Sequence, residues 1–467
     1  MKTTNYLPEV RQQYEDYPFP PVEARDESWR LQVMPQDLLE NINHYCFGGR
    51  RDFRKDFRVL VAGGGTGHAV VFLAEQLRDT NAEIYYVDLS HASRAVAQER
   101  AEIRGLTNIN WVSGSLLDVP TMGIGQFDYI NCTGVLHHLE NPTAGLMALK
   151  SVLKEDGAMG LMVYGKYGRA SYYHVQEMMR LINDPSEHPE QKIENTKAAM
   201  SSLPETFFLG HGIHRQKHLD GFFNDHINLY DTFLHSQDRA YTVEELYEWL
   251  DTCGLEMNGF TNFNASMSEK ILYRPELYIK DDKLLDKVMD FPLRRRQAVA
   301  ELVSSQIGLH TFYCSYRSDA QAVPDDFSMV PFFSDCHCGG EPVFTRLNPV
   351  ETCQWMESNP GQQFVLRHPM GLTIAIPNTP CTGRIIRYID GERSLETIFQ
   401  MVAADMESMT ATPLAKYDFL SSFMGIYNVC SELEWLRLRH ESVPAYPTYQ
   451  EMQSRVTSQY AAKDHVA

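Results

Sequence analysis

Apolar runs of strand length alternate with amphipathic stretches through the first third of the chain. Val59-Leu60-Val61-Ala62 is an uninterrupted apolar run that ends in Gly63-Gly64-Gly65-Thr66-Gly67, and residues 68–77 return to helical spacing. An apolar run bounded by turn residues marks a strand buried on both faces, as in parallel sheets. Glu83 to Ser90 is a second strand ending in an acid, Asp88; Ser90 is placed to cap the next helix and Gly105 to stop it. Ile109 to Pro120 reads as a third strand with its exit loop, and Phe127 to Leu139 as a fourth. Leu149 to Leu153, Gly157 and Gly160 to Tyr164 supply the next helix, turn and strand. Strand and helix in strict alternation predict a doubly wound α/β sheet.

The glycine turn narrows the chemistry. Glycine is needed where the backbone takes positive φ or lies directly against a ligand. A dinucleotide fingerprint is G-x-G-x-x-G, but His68 stands where its third glycine belongs, so this turn reads G-x-G-x-G. No G-x-x-x-x-G-K-[ST] occurs, which excludes a P-loop. Asp88 follows Gly67 by 21 residues, one helix and one strand later, where a carboxylate can accept from both hydroxyls of a ribose.

The turn resembles motif I of the class I S-adenosylmethionine (SAM) dependent methyltransferases. Strand order and spacing over roughly residues 55–165 are similar to that family, and Gly134-Val135-Leu136-His137-His138-Leu139-Glu140-Asn141-Pro142 is a phrase typical of it. The resemblance implies a seven-stranded sheet whose last strand enters antiparallel. It implies SAM as cofactor, held by Gly63, Gly64, Gly65, Thr66 and Gly67, by Asp88 and Leu89, by Ser115, Leu116 and Asp118, and by Thr133. There are two departures. Many members carry an acid at the position of Val61, engaging the methionine amine, and an acid at that of Ser115, near the adenine amino group; Asp118 is placed to take part of the latter role.

Methyl transfer from a sulfonium needs in-line attack and no covalent enzyme intermediate, so positioning and desolvation carry most of the rate. A base is required only where the nucleophile must lose a proton. His137, His138 and Tyr164 sit at the carboxyl ends of strands, where the pocket of a doubly wound sheet lies. Imidazole titrates near neutrality and serves as base or hydrogen-bond partner, with His138 placed slightly ahead of His137. Tyr17, in the leader, is the fourth catalytic candidate.

The 467 residues make room for two or three domains, and 43% hydrophobic content is ample for sizeable cores. No 18-residue apolar run and no N-terminal apolar segment occur, so a cytoplasmic chain with no membrane span is expected. Nine cysteines, odd in number and scattered, read as reduced thiols. The net charge of −19 offers no footprint for nucleic acid, and no DNA partner is expected. Arg50 to Lys55 and Arg294 to Arg296 read as solvated basic faces.

Four regions follow. Residues 1–55 are an aromatic leader with Tyr14-Glu15-Asp16-Tyr17-Pro18-Phe19-Pro20-Pro21, either a strap over the domain or a lid over the site. Residues 56–165 are the SAM-binding core. Residues 166–320 combine a helical cap insertion, with charged helices at 185–201 and 280–300, and the last strands, Leu255 to Phe263 and His310 to Ser315. There Thr242 and Glu245 form a capping box and Gly254 ends the helix. Residues 321–467 form a C-terminal α+β accessory unit in which Gly383 to Phe399 resembles the helical pair of a winged helix, with strands before it from Val365 to Pro377 and a further strand at Glu432 to Leu438. Cys336-His337-Cys338 lacks a second ligand pair, so no metal is expected, and His211, His214 and His218 read as a loop rim or as polar groups facing substrate.

The expected function is methyl transfer from SAM to oxygen, nitrogen or carbon of a small-molecule or peptide acceptor. A SAM- or SAH-binding regulatory protein with a degenerate site is the alternative, resting on Val61 and the long tail. RNA modification is a further one, opposed by the acidic charge. Oligomeric state is left open, a homo-oligomer included.

Overall fold

A computed structural model of the chain describes residues 8–204, 225–263, 269–335, 348–367, 373–410 and 413–457. His211, His214, His218 and Cys336 to Cys338 lie outside the described residues. The central sheet contains β1 (Arg58–Ala62), β2 (Glu83–Asp88), β3 (Ile109–Ser113), β4 (Phe127–Thr133), β5 (Leu153–Gly165), β6 (Ala240–Tyr241), β7 (Glu256–Phe260) and β8 (Leu309–Ser315). Its order is β3-β2-β1-β4-β5-β8-β7, with the short β6 pairing β5. Strands β1 to β5 run parallel, and β8 inserts antiparallel between β5 and β7. This is the seven-stranded class I methyltransferase arrangement, with the two-residue β6 added against the end of β5.

The apolar run of β1 is buried on both faces because successive side chains point opposite ways. Leu60 and Ala62 enter one core, while Val59 and Val61 enter the other. The second of these cores is built mainly by α2 (Leu39–Cys46) and α3 (His68–Gln76), and none of the described side chains of α1 (Pro8–Asp16) belongs to it. Beyond them come α4 (His91–Arg104) and α5 (Pro142–Ser151). The Ser90 hydroxyl caps α4 by accepting from Ser93 N–H, and Gly105 ends it in the left-handed conformation.

Between β5 and β6, α6 (Ala170–Ile182), α7 (Pro189–Ser201) and α8 (His226–Phe233) close around a small core of their own, with Val175, Met179, Ile193, Leu229 and Phe233. α9 (Val243–Cys253) opens on the Thr242–Glu245 capping box and stops at Gly254. α10 (Asp282–Met289) and α11 (Leu293–Ser304) follow, and α11 differs from its sequence reading. Ala298 of α11 enters the sheet core, so this helix backs the sheet and not the cap. Arg294 to Arg296 lie toward its outer face, whereas Glu301 is buried and accepts from Val243 N–H at 2.9 Å; the charge alone concealed the buried stripe.

The C-terminal unit pairs β9 (Met329–Phe333) with β12 (Leu436–His440) and holds a separate hairpin, β10 (Phe364–Arg367) and β11 (Thr373–Ile376). Around them stand α12 (Pro349–Ser358), α13 (Thr382–Tyr388), α14 (Leu395–Thr410), α15 (Lys416–Cys430) and α16 (Tyr449–Ser454). The α13–α14 pair stands where the sequence places it. The hairpin precedes that pair, and β12, which follows it, joins β9 and not the hairpin. α2 is wedged between this unit and the sheet. Asn41 Oδ1 accepts from Arg437 Nε at 2.6 Å and His44 Nδ1 accepts from Leu438 N–H at 3.2 Å. Among the described residues no helix is long and apolar enough to cross a membrane, and no cluster of three metal-ligating side chains occurs.

Candidate active site

The glycine turn between β1 and α3 is held open by its own backbone. Gly63, Gly65 and Gly67 take φ of 75°, 50° and 97°, a region that L side chains avoid. A Cβ on Gly65 would lie 2.6 Å from the Phe19 carbonyl oxygen, so only glycine lets the leader cross here. Tyr86 Oη donates to Gly65 O at 2.7 Å from below.

At the end of β2, Asp88 accepts from Gly65 N–H and from Ser90 N–H, each at 2.8 Å. Burial pushes its carboxyl above the usual value, and these N–H bonds oppose that push. A cavity of about 730 Å³ opens along the carboxyl ends of β1 to β4, a size suited to a nucleoside cofactor together with an acceptor. Gly63, Gly64, Gly65, Asp88, Leu89, Ser115, Leu116, Thr133 and His138 line it. A carboxylate beside a glycine turn, an apolar floor at Leu89 and Leu116, and backbone at Gly114 fit ribose and adenine of SAM.

The other candidates stand off the wall. Thr66 faces the leader: its N–H reaches Phe19 O at 3.2 Å and its hydroxyl Pro20 O at 2.7 Å. Gly67 packs on Ala97, where a Cβ would come within 2.8 Å. Asp118 lies in the turn after Ser115, whose hydroxyl accepts from Leu117 N–H. Tyr17 stacks on Tyr230 at 5.1 Å, within the helical insertion. His137 is fully buried, 3.9 Å from the Tyr164 ring, and Arg169 covers that ring at 3.7 Å. Both rings form a layer behind the wall.

Residues that pattern reading passed over complete the site. Tyr14, three residues before Tyr17, is the leader tyrosine on the cavity wall. One helical turn separates the two, and which one faced inward depended on where α1 docks. It docks on α4: Glu15 accepts from the His91 and Ala92 N–H groups at 3.0 Å. Against the burial that opposes ionisation, these bonds and the α4 N-terminus hold the Glu15 carboxyl below its usual value.

Val61 lines the cavity where relatives carry an acid, and the leader brings one nearby. Val61 pairs in register with Asn131, whose amide donates to both Asp37 oxygens at 2.9 and 3.0 Å. Thr133 Oγ1 donates to Gln36 Oε1 at 2.9 Å. Burial raises the Asp37 carboxyl to about 7, against the bonds from Asn131 and Tyr129. Nothing in Pro35-Gln36-Asp37 signals this role, because the partners are nearly a hundred residues away.

His138 has one ring contact that decides its chemistry. Its Nδ1 lies 2.9 Å from the Gln237 carbonyl oxygen, which can only accept, so Nδ1 carries the proton and Nε2 the lone pair. Burial lowers its pKa to about 4, so the ring is neutral at physiological pH. What remains exposed of His138, 5%, lies on the cavity wall.

Comparison with known proteins gives the same picture. A family model described as a methyltransferase domain matches residues 60–159. An uncharacterized protein of Synechococcus sp. is 30% identical over 309 residues, 64% of this chain and 69% of that protein. The tRNA 5-carboxymethoxyuridine methyltransferase of Escherichia coli K12 is 31% identical over 112 residues, 24% of this chain and 41% of its own length. Among solved structures, PKMT2 from Rickettsia typhi is similar over 91% of this chain and 77% of its own, with a TM-score of 0.60 and 15% identity. The same protein in complex with AdoHcy gives a TM-score of 0.58 over 92% of this chain and 78% of its own, at 14% identity. At that identity the likeness is one of fold, and it extends through nearly the whole chain.

Proposed function

The chain belongs to the class I S-adenosylmethionine-dependent methyltransferases, and from that premise we propose that its acceptor is a small molecule or a peptide side chain that His138 relieves of a proton. SAM supplies an electrophilic methyl on a sulfonium. In this reading Asp88 holds the ribose hydroxyls. Leu89, Gly114, Ser115 and Leu116 enclose the base, and the turn from Gly63 to Gly65 lies along the cofactor. Asn131 and Thr133, backed by Asp37 and Gln36, take the amino-acid end and replace the acid missing at Val61. The leader excludes water by crossing the glycine turn at Phe19 and Pro20.

The observation that carries the reading is His138: a neutral ring on the cavity wall, with Nδ1 committed to Gln237 O and Nε2 left as a base. A positioned base is worth roughly 10²–10⁴-fold. The test is SAH release from purified protein, SAM and fractionated extract, with and without RNase. Turnover that survives RNase and falls by about 10²-fold in H138Q is expected. Turnover lost with RNase would favour an RNA acceptor, the reading allowed by the likeness to the tRNA enzyme over 24% of the chain. SAM binding without turnover over any fraction would favour a regulatory protein.

A further inference from the structure

Two imidazoles stack at the cavity wall with centroids 3.9 Å apart: His138 lines the cavity and His235 lies behind it. The backbone of one residue, Gln237, touches each ring through two successive peptide groups. The Gln237 carbonyl accepts from His138 Nδ1 at 2.9 Å, and the Gln237 N–H donates to His235 Nδ1 at 3.0 Å. A carbonyl only accepts and a backbone N–H only donates, so the two rings are held in opposite tautomers. His138 keeps its proton on Nδ1 and leaves Nε2 bare. His235 has a bare Nδ1 and keeps its proton on Nε2, 3.3 Å from the Tyr14 hydroxyl. Burial lowers both pKa values, that of His235 well below the usual range, so neither ring carries a second proton.

The direction of the chain of bonds then follows. His235 Nε2–H donates to Tyr14 Oη, and Tyr14 spends its own hydrogen on Asp231 Oδ1 at 3.3 Å. A phenol oxygen with one bond received and its hydrogen committed has one lone pair left. Tyr14 and His138 both line the cavity. Between them they offer an incoming nucleophile two lone pairs and no hydrogen.

We propose that the acceptor atom is the nitrogen of a neutral primary amine, whose two hydrogens are received by Tyr14 Oη and His138 Nε2. The inference rests on the cavity being the methyl-transfer site. A hydroxyl fills one of the two lone pairs and leaves the other unpaired; a carboxylate or a carbon nucleophile fills neither and meets only repulsion. With both hydrogens engaged, the nitrogen lone pair is free for in-line attack. A nitrogen–carbon bond forms, the methyl–sulfur bond breaks with its electron pair remaining on sulfur, and one N–H proton passes to His138 Nε2. Burial raises the Asp231 carboxyl, behind Tyr14, to about 7; in its ionised form it stabilises the positive charge arriving in this layer. In this scheme Tyr14 and His138 touch substrate, while His235 and the Gln237 backbone are positioning groups.

The experiment has a structural arm and a product arm, both on the full chain. Long-range ¹H–¹⁵N correlation spectra of histidine-labelled protein, assigned with H138Q and H235Q, report the tautomers without any turnover. Protonated Nδ1 on His138 with protonated Nε2 on His235 is expected; the same tautomer on both rings, or a doubly protonated ring at pH 7.5, overturns the proposal. In the product arm, extract fractions supporting SAH release are labelled with [methyl-¹³C]SAM. An N-methyl product is expected, with Y14F raising KM for the acceptor about tenfold and changing kcat less. An O-methyl, C-methyl or methyl-ester product overturns the amine assignment while leaving the enzyme reading intact. Opposite tautomers with no SAH release from any fraction sinks the enzyme reading and this inference with it. H235N, which keeps a side-chain donor but loses the ring, separates positioning from folding: a raised KM with unchanged melting temperature is expected, and an unchanged KM counts against the relay.

Discussion

Asp88 and Asp37 are two buried carboxyls with opposite duties. Asp88 faces the cavity and already accepts two backbone N–H bonds, so its orientation is set before a ribose arrives. D88A removes the carboxylate proposed to hold the ribose diol, and at roughly 1.5–3 kcal/mol for even one hydrogen bond to a charged group the SAM Kd measured by calorimetry is expected to rise at least about 10- to 100-fold. Asp37 is fully buried beneath Asn131, and its folded pKa of about 7 lies above that of an unfolded aspartate. The fold therefore binds a proton that the unfolded chain releases. Stability from this group is present below the unfolded pKa and is lost as pH rises toward 7. Asn does not titrate, so the stability of D37N relative to the parent is expected to improve by about 1.4 kcal/mol per pH unit between roughly pH 4 and 7. Urea denaturation at a series of pH values measures this, and a pH-independent difference would refute the assignment. Asp88 was legible from spacing alone; Asp37 was not, because its partners Tyr129 and Asn131 lie on another element.

Among the elements, the leader did most to depart from a simple strap. Its first helix caps α4 through Glu15, its Phe19–Pro20 segment crosses the glycine turn, and its Glu27 carboxylate pairs with the buried Arg100 and Arg104 of α4. Removing one side of such a buried pair costs about 3–5 kcal/mol, so the leader is fastened at both ends. The weak point is the crossing itself. G65A places a methyl against Phe19 O in a backbone conformation of φ 50° that alanine resists. The expected result is a folded protein whose leader is displaced, with faster proteolysis between residues 16 and 24 and weaker SAM binding. Unchanged proteolysis would show that the leader does not depend on this contact. The strands and their caps were readable because each is a local pattern: apolar runs, Ser90, Thr242 with Glu245, and the stops at Gly105 and Gly254. The placement of α11 was not, since a charged helix face looks alike on any support.

At the scale of the whole molecule, α2 belongs to two units at once. It fills the sheet core with Leu39, Ile42 and Tyr45 and receives Arg437 and Leu438 on its polar side. β12 also reaches the leader, where His440 N–H donates to Gly49 O at 2.8 Å. A chain cut after residue 320 would leave Asn41 and His44 buried or bare without these partners, each unmet polar group costing about 1–3 kcal/mol. Such a truncation is expected to be insoluble or to lose cooperative thermal unfolding by calorimetry. A well-folded truncation with normal SAM affinity would show that the C-terminal unit is dispensable to the catalytic half.

By itself the sequence determined the sheet, its cofactor and the acid at the end of β2 that lines the cavity. These follow from short-range regularities: uninterrupted apolar runs in strands, glycines where φ is positive, an acid one strand later. The tertiary structure alone decided which leader tyrosine meets the cavity, which buried acid backs Asn131 beside Val61, and which histidine nitrogen is bare. Each of those turns on a single peptide or carboxylate approaching from far along the chain: Gln237 on His138 across 99 residues, Asp37 on Asn131 across 94. Hydrogen-bond direction is a property of the pair, and no pattern local to either partner encodes it.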